Sequence, residues 1–161
     1  MRCYDPDTLD ELYDCGDALQ HLILFRGLPG SGKSTRASRM GLDTVSADDF
    51  FMEGGVYRFD AAKLTPAHAW CQQETRRRLK SGEDVGVANT FTQRWEIEPY
   101  RKIAEEFGAI LGIVDLYDAG LDDRALSERN LHGVPENAIS TMRKRYEFNW
   151  IAGNPKPPWE R

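Results

Sequence analysis

Residues 27–35 read GLPGSGKST and directly follow the strand-length run HLILFR of residues 21–26. The stretch contains the pattern G-x-x-x-x-G-K-[ST], the P-loop, whose backbone wraps around phosphate groups. The apolar run before it and the helix-forming residues after it are the strand and the helix that the pattern requires. The sequence therefore predicts a strand, a phosphate-binding loop and a helix, in that order.

Each fixed residue type of this loop has a physical role in holding phosphate. Glycines allow backbone conformations that other residues avoid, so that successive N–H groups turn inward as donors. Lys33 brings a positive charge to the outer phosphates, and Ser34 offers a hydroxyl to Mg²⁺ at the positive end of the next helix. The predicted nucleotide-binding residues of the loop are Gly27, Gly30, Ser31, Gly32, Lys33, Ser34 and Thr35.

Composition restricts the classes of function. A chain of 161 residues fits one domain, and its formal net charge of -5 argues against a protein that coats nucleic acid over its whole surface. A local basic groove is still compatible with that charge.

Cys3, Cys15 and Cys71 lack metal-ligand spacing, which favours a reduced, cytoplasmic setting. No secretory signal and no window of membrane-spanning length is visible in the sequence, so we expect no membrane association.

The remainder of the chain alternates between predicted strands and helices. Such alternation implies right-handed crossovers and a parallel sheet covered on both faces. Predicted strands lie at 42–46, 85–89 and 110–117, and predicted helices at 33–40, 65–81, 95–107, 121–131 and 136–150. The almost uniformly apolar strand 110–117 is expected to be buried on both faces, and 52–60 is expected to be a loop. The last two helices feed no strand and are expected to form a movable cover over the site.

These elements predict a single domain spanning residues 1–161. Its parts are an N-terminal arm (1–20), a core (21–118), the lid and C-terminal helices (121–150) and an irregular Pro-rich tail (151–161).

Polar residues follow two of the predicted strands, at the edge of a parallel sheet where ligands bind. Asp48 and Asp49 follow the strand at 42–46, and Asn89 and Thr90 end the strand at 85–89. An aspartate here could serve as a general base, or the pair could form a helix cap or turn.

Asn89 and Thr90 could bind an acceptor or an attacking water, or form an ordinary turn. Tyr57 could stack on an acceptor base, or belong to the core or rim.

Five segments together resemble the small P-loop kinases of the polynucleotide-kinase type, a group widespread in phages that includes proteins described only as AAA-like ATPases. The segments are GLPGSGKST (27–35), ADDFF (47–51), ANTFTQRWEIEPY (88–100), ERNLHGVP (128–135) and MRKRYE (142–147). The resemblance covers about residues 21–150. It implies a P-loop NTPase three-layer α/β/α fold, with a four- or five-stranded parallel sheet and a C-terminal helical lid. It also implies ATP with Mg²⁺ as phosphoryl donor and an alcohol hydroxyl as acceptor.

The resemblance also implies roles for individual residues. Asp48 falls at the position of the base that faces the acceptor hydroxyl, and Arg129 at that of the lid arginine that stabilises the transferring phosphoryl group. Asp48 and Ser34 are the residues expected near Mg²⁺, and Asp49 is expected to be structural or to lie near the acceptor and the metal. Arginines that grip an acceptor phosphate in these kinases are replaced here by Ala47 and Phe51.

Two arginines of the predicted lid compete for the phosphates. Arg124 has Glu128 four residues on, so a surface ion pair explains it, although it also counts as a nucleotide-binding candidate. Arg129 has no acid at three or four residues and is preferred. His132 is interpreted as a packed or capping residue at a hinge. The basic run 76–80 could line a nucleic-acid groove or form a solvated helix face.

The sequence thus predicts an ATP-dependent kinase. Its expected acceptor is a polynucleotide 5′-hydroxyl, or a hydroxyl on a nucleotide or a modified DNA base. The alternatives are a nucleotide-binding ATPase switch, whose lid motion signals to a partner, and a small-metabolite kinase.

Overall fold

A computed structural model of the protein describes residues 19–161. The arm expected at 1–20, with Cys3 and Cys15, therefore lies outside the described residues except for its last two positions. Within the described range, no helix combines the length and the apolar character needed to cross a membrane.

Six strands and five α-helices make up the regular structure of residues 19–161. The strands are β1 (His21–Gly27), β2 (Thr44–Val45), β3 (Met52–Glu53), β4 (Val56–Tyr57), β5 (Val85–Ala88) and β6 (Ile110–Tyr117). The helices are α1 (Lys33–Arg39), α2 (Leu64–Lys80), α3 (Arg94–Phe107), α4 (Asp123–Arg129) and α5 (Glu136–Lys144). A 3₁₀ turn at Ala47–Phe51 follows β2.

Four strands form one parallel sheet in the order β2, β5, β1, β6. Successive residues of β1 face opposite sides of this sheet, because side chains alternate along a strand. Leu24 packs in the cluster formed with α2 and α3, and Phe25 packs with Ala37 of α1. This arrangement confirms the predicted α/β fold with its parallel sheet. The carboxyl ends of β2, β5 and β1 meet at one edge, and the P-loop leaves β1 there.

The helices α4 and α5 pack against the P-loop itself. Leu28, the second residue of the loop, is fully buried with Leu126 of α4, Ile139 of α5 and Tyr146. The backbone N–H of Leu28 also donates to the carbonyl of Tyr117 at the end of β6, over 2.7 Å. The expected cover over the site is therefore seated on the phosphate-binding loop through an apolar contact.

Three details differ from the sequence-based expectations. Among residues 19–161 the strand β6 pairs with β1 alone, and its residues are half-buried or exposed, with Ile110 at its start 46% exposed, so the expectation of a strand buried on both faces is wrong. An apolar run does not distinguish an edge strand from a central one. Residues 52–60, expected as a loop, contain the antiparallel hairpin β3–β4, whose strands of two residues are too short to leave a pattern.

The third difference concerns the end of α5, which stops at Lys144 rather than near residue 150. After the helix ends, the hydroxyl of Tyr146 donates a hydrogen bond to the Asp115 carboxylate at 2.5 Å. The backbone N–H of Glu147 then donates to the carbonyl of Thr92. The expected irregular tail forms short 3₁₀ turns, and its Trp159 ring lies 5.2 Å from that of Trp95.

A buried arginine joins the sheet to this C-terminal segment. The guanidinium of Arg26 donates to the carboxylate of Asp115 at 2.9 Å and to the carbonyls of Phe91 and Glu147 at 3.1 and 3.0 Å. It also lies 4.2 Å from the centre of the Tyr146 ring. Each of the three guanidinium nitrogens of this buried side chain thus donates one hydrogen bond, and together with the aromatic contact these bonds offset its desolvation.

We expect Arg26→Ala to lower the free energy of unfolding by about 3 kcal/mol or more, because it removes a buried charged side chain and leaves a buried carbonyl of Phe91 and a partly buried carbonyl of Glu147 without this donor. Arg76→Ala, which removes an exposed pair with Glu106, is the matched control and should cost less than about 1 kcal/mol. Urea unfolding of both variants measures the difference. Similar losses in the two variants would contradict a central role for the buried arginine.

Candidate active site

Glycine is required in the P-loop by steric contact as well as by backbone conformation. Gly30 has a φ of 80°, and a Cβ built on it would lie 2.4 Å from the carbonyl oxygen of Leu126 in α4. A Cβ on Gly27 would lie 2.6 Å from Oγ of Ser31. The loop therefore closes on itself and presses against the lid helix, at distances that no side chain can occupy.

The donors of this loop fit phosphate oxygens. The Lys33 ammonium donates to the carbonyls of Gly27 and Leu28 at 2.8 and 3.0 Å, and its burial lowers its pKa to about 8, against the opposing influence of Asp48. The hydroxyl of Ser31 is buried and has no hydrogen-bond partner among the described residues. Backbone N–H groups, a hydroxyl and an ammonium are the donor set that a polyphosphate accepts from.

The two aspartates after β2 have different roles in the fold. The carboxylate of Asp49 accepts from the backbone N–H of Ser46 at 2.7 Å, and the Ser46 hydroxyl accepts from the N–H of Asp48 at 3.1 Å. These bonds form a capping box at the start of the 3₁₀ turn. The pattern Ser-x-x-Asp is typical of such a cap, so the sequence itself indicates that Asp49 has a capping role. The Asp48 carboxylate is left for other contacts.

Asp48 receives contacts at both carboxylate oxygens. The Tyr57 hydroxyl, from the β3–β4 hairpin, donates to Oδ1 at 2.8 Å, and Nε2 of His132 lies 3.8 Å from Oδ2. The rings of Tyr57 and His132 are 4.4 Å apart. Burial, reinforced by the bond to Asp48, raises the pKa of Tyr57. His132 was interpreted from the sequence as a hinge residue, because no local pattern reveals that the loop after α4 reaches this hairpin.

Asn89 and Thr90 connect the ends of neighbouring strands. The buried side-chain oxygen of Asn89 accepts from the N–H of Ala47 at 3.0 Å and from the Ser46 hydroxyl at 3.3 Å. The carbonyl of Thr90 accepts from the N–H of Gly27 at 3.2 Å. These contacts favour the turn interpretation for Asn89, whose amide fixes the segment that carries Asp48. An acceptor contact of either side chain stays a prediction.

The two lid arginines lie on different faces of α4. The Arg124 side chain is 78% exposed and pairs with Glu128 at 3.0 Å, as the spacing predicted. Leu126 places its carbonyl against Gly30, and Arg129 follows it by three residues, which is the spacing of a shared helix face. Within residues 19–161, Arg129 has no carboxylate partner in ion-pair range. The preference for Arg129 at the phosphates stays a prediction that this placement supports.

The three arginines of the basic run on α2 each pair with a carboxylate. Arg76 pairs with Glu106 at 2.9 Å, and Arg77 and Arg78 both pair with Glu74, at 2.8 and 2.9 Å. These pairs favour a solvated helix face over a nucleic-acid groove.

The acidic residues offer no complete cage for a metal ion. Across residues 19–161, no group of three or more His, Cys, Asp and Glu side chains is arranged to hold one. Magnesium is typically bound by one or two protein groups together with phosphate oxygens and water, and the expected pair Ser34 and Asp48 fits that mode.

Known proteins share the motifs and the fold. The family AAA_33, an AAA domain, matches residues 22–149. NEDD4-binding protein 2 of Homo sapiens is 33% identical over 134 residues, which cover 78% of this chain and 8% of that protein. A chain in the structure of the Pnkp1/Rnl/Hen1 RNA repair complex superposes with a TM-score of 0.64 at 19% identity, covering 89% of this chain and 50% of its own. A putative kinase from Chloroflexus aurantiacus gives a TM-score of 0.58 at 18% identity, covering 79% and 80%.

We expect Gly30→Ala to destabilise the protein more than Gly41→Ala. Both positions have positive φ, which costs an alanine about 1–2 kcal/mol, but only Gly30 has an atom of Leu126 in the way of a Cβ. Urea unfolding should show the larger loss for Gly30→Ala, and binding of a fluorescent ATP analogue should weaken only there. Equal effects of the two substitutions would show that the lid does not press on the loop.

Proposed function

The chain belongs to the AAA_33 family of AAA domains, and from that premise we propose that it is an ATP-dependent kinase with an alcohol hydroxyl as acceptor. Its fold is that of P-loop kinases, in agreement with the resemblance noted in the sequence. The observation that carries the proposal is the division between the two aspartates after β2. Asp49 completes the local cap, whereas the Asp48 carboxylate takes no part in that cap, accepts the Tyr57 hydroxyl, and partly opposes the lowering by burial of the pKa of the P-loop lysine.

On the donor side, the residues act by holding charge in place. The inward N–H groups of the loop and the ammonium of Lys33 bind the β- and γ-phosphates of ATP. Ser34 and Asp48 are the residues that would hold Mg²⁺, which, when bound, neutralises charge on the phosphates. Arg129, on the face of α4 that meets the loop, stabilises the negative charge of the transferring group. Phosphoryl transfer depends mainly on such positioning and charge stabilisation.

On the acceptor side, Asp48 acts as the general base. The acceptor oxygen forms a bond to the γ-phosphorus while the bond from that phosphorus to the bridging oxygen of ADP breaks. The proton of the acceptor hydroxyl passes to the Asp48 carboxylate. General base catalysis of this kind typically contributes about 10²–10⁴ in rate.

We propose a nucleic acid or nucleotide as the acceptor: a polynucleotide 5′-hydroxyl, or a hydroxyl on a nucleotide or modified DNA base. A fold relative solved within an RNA repair complex and the aromatic rings around the hairpin support this class. Ala47 and Phe51 offer no charge to an acceptor phosphate, and the hairpin cation Arg58 lies 3.7 Å from Glu53. The site therefore recognises the acceptor mainly through its rings and its hydroxyl.

Transfer from γ-labelled ATP tests the proposal. The acceptor panel contains 5′-hydroxyl DNA and RNA, duplex DNA with hydroxymethylpyrimidines, and free nucleosides. We expect label on one acceptor, lost in Lys33→Ala together with ATP affinity. Asp48→Asn should keep ATP affinity and reduce transfer by about 10²-fold or more, because the amide cannot accept the proton. Phosphate release without a labelled acceptor would support the ATPase switch instead, and transfer within a few-fold of wild type in Asp48→Asn would refute the base assignment.

Arg129→Ala should reduce turnover by about 10³-fold, the lower end for an arginine that stabilises the transferring phosphoryl group, with a much smaller change in ATP affinity. Arg124→Ala is the matched control on the same helix and should leave turnover nearly unchanged, because its partner is Glu128. Steady-state kinetics of the two variants make the comparison. Equal losses would undo the choice of Arg129.

A further inference from the structure

The Asp48 carboxylate lies between two segments that are far apart in the sequence. Oδ1 accepts the hydroxyl of Tyr57 from the hairpin, and Oδ2 faces Nε2 of His132 from the loop between α4 and α5. The two rings also contact each other, with 4.4 Å between their centroids. The base is therefore framed on one oxygen by the acceptor-side hairpin and on the other by the lid.

The loop that carries His132 has a defined shape, fixed by the side chain of Asn130. The Asn130 amide nitrogen donates to the carbonyls of Ser127 and Val134 at 2.7 and 3.1 Å, and its oxygen accepts from the N–H of Val134 at 2.7 Å. Gly133, with a φ of 68°, allows the turn within this ring of bonds. An asparagine that spans residues 130–134 in this way holds His132 at a fixed distance from the end of α4.

The same helix is fixed to the P-loop. Leu126 is buried against Leu28, and its carbonyl occupies the space that a side chain on Gly30 would need. The phosphate-binding loop is thus linked through α4 and the Asn130 hydrogen bonds to the backbone of the loop that carries His132, whose Nε2 lies 3.8 Å from the Asp48 carboxylate. A change in the seating of α4 on the P-loop would move His132 relative to the base.

We propose that His132 is a positioning residue that orients the Asp48 carboxylate for the acceptor hydroxyl when the lid is seated on the P-loop. This inference rests on the proposed kinase function and adds a regulatory link to its site. Tyr57 fixes Oδ1, and the imidazole beside Oδ2 restricts rotation of the carboxylate, so that Oδ2 is presented to the acceptor. Misplacement of a reacting group by about 1 Å can cost about 10²-fold in rate, and this loss is what the imidazole prevents.

The test uses His132→Ala and His132→Gln, with Leu131→Ala as matched control. Leu131 is the neighbouring residue of the same loop, and it is 94% exposed. We expect His132→Ala to reduce kcat of phosphoryl transfer by about 10- to 100-fold while KM for ATP stays within about twofold. His132→Gln should recover part of the rate, because its amide reaches the region of Nε2. Leu131→Ala should match wild type.

The decisive comparison repeats His132→Ala in the Asp48→Asn background. A residue that acts through Asp48 should lose nearly all its effect there, whereas an independent structural role would give the same fold-loss in both backgrounds. The ring-proton resonances of His132 should also shift in Asp48→Asn and not in Leu131→Ala. Equal losses in both backgrounds, or unshifted resonances, would overturn the inference.

Failure of the proposed function is a separate outcome. If wild type transfers phosphate to no acceptor and only hydrolyses ATP, the kinase proposal fails. The same comparison is then made on the hydrolysis rate, and the resonance shifts still report the contact. Independent effects of His132→Ala and Asp48→Asn on hydrolysis would overturn the positioning role in that case as well.

Discussion

The close approach of Gly30 to the Leu126 carbonyl is the constraint on which the rest of the site depends. It leaves no room for a side chain in the middle of the P-loop, and it places the last turns of α4 against the phosphate-binding backbone. Burial of Leu28 in the lid cluster adds an apolar contact to this steric one. Because α4 ends in Arg129, the same contact fixes where the backbone of that arginine lies relative to the loop. The helices α4 and α5 thus pack directly against the P-loop through Leu28 and Gly30.

The surroundings of Asp48, in contrast, are held together by polar contacts between short segments. A capping box formed by Ser46 and Asp49 fixes the turn after β2, and the amide of Asn89 fixes the same turn from β5. The backbone N–H of Asp48 takes part in this cap, whereas its carboxylate makes none of the hydrogen bonds recorded within the turn. Its carboxylate instead accepts the hydroxyl of Tyr57 and lies 3.8 Å from Nε2 of His132, and these two contacts are the basis of the base and positioning roles proposed above.

The sequence predicts a structural feature where the backbone requires a particular residue type. It does not predict a feature that depends only on tertiary contacts. The glycines of the P-loop and the alternation of strands with helices predicted the parallel α/β fold. The apolar run 110–117 could not reveal an edge strand, because hydrophobicity is similar in both cases. His132 was missed because its contact with Asp48 joins two segments that are 84 positions apart in the sequence (132 against 48). The Ser-x-x-Asp pattern of residues 46–49, in contrast, indicates a capping box, and it would have assigned a structural role to Asp49 and not to the Asp48 side chain.

We propose that the chain is a phosphotransferase, and the fate of the γ-phosphoryl group tests that proposal most directly. Phosphorus-31 NMR of the protein with Mg-ATP and the acceptor panel follows every product in one sample. We expect ATP to be converted to ADP, with a phosphomonoester resonance of one acceptor appearing in matching amount. Conversion of ATP to ADP and inorganic phosphate alone, unchanged by every acceptor, would contradict it.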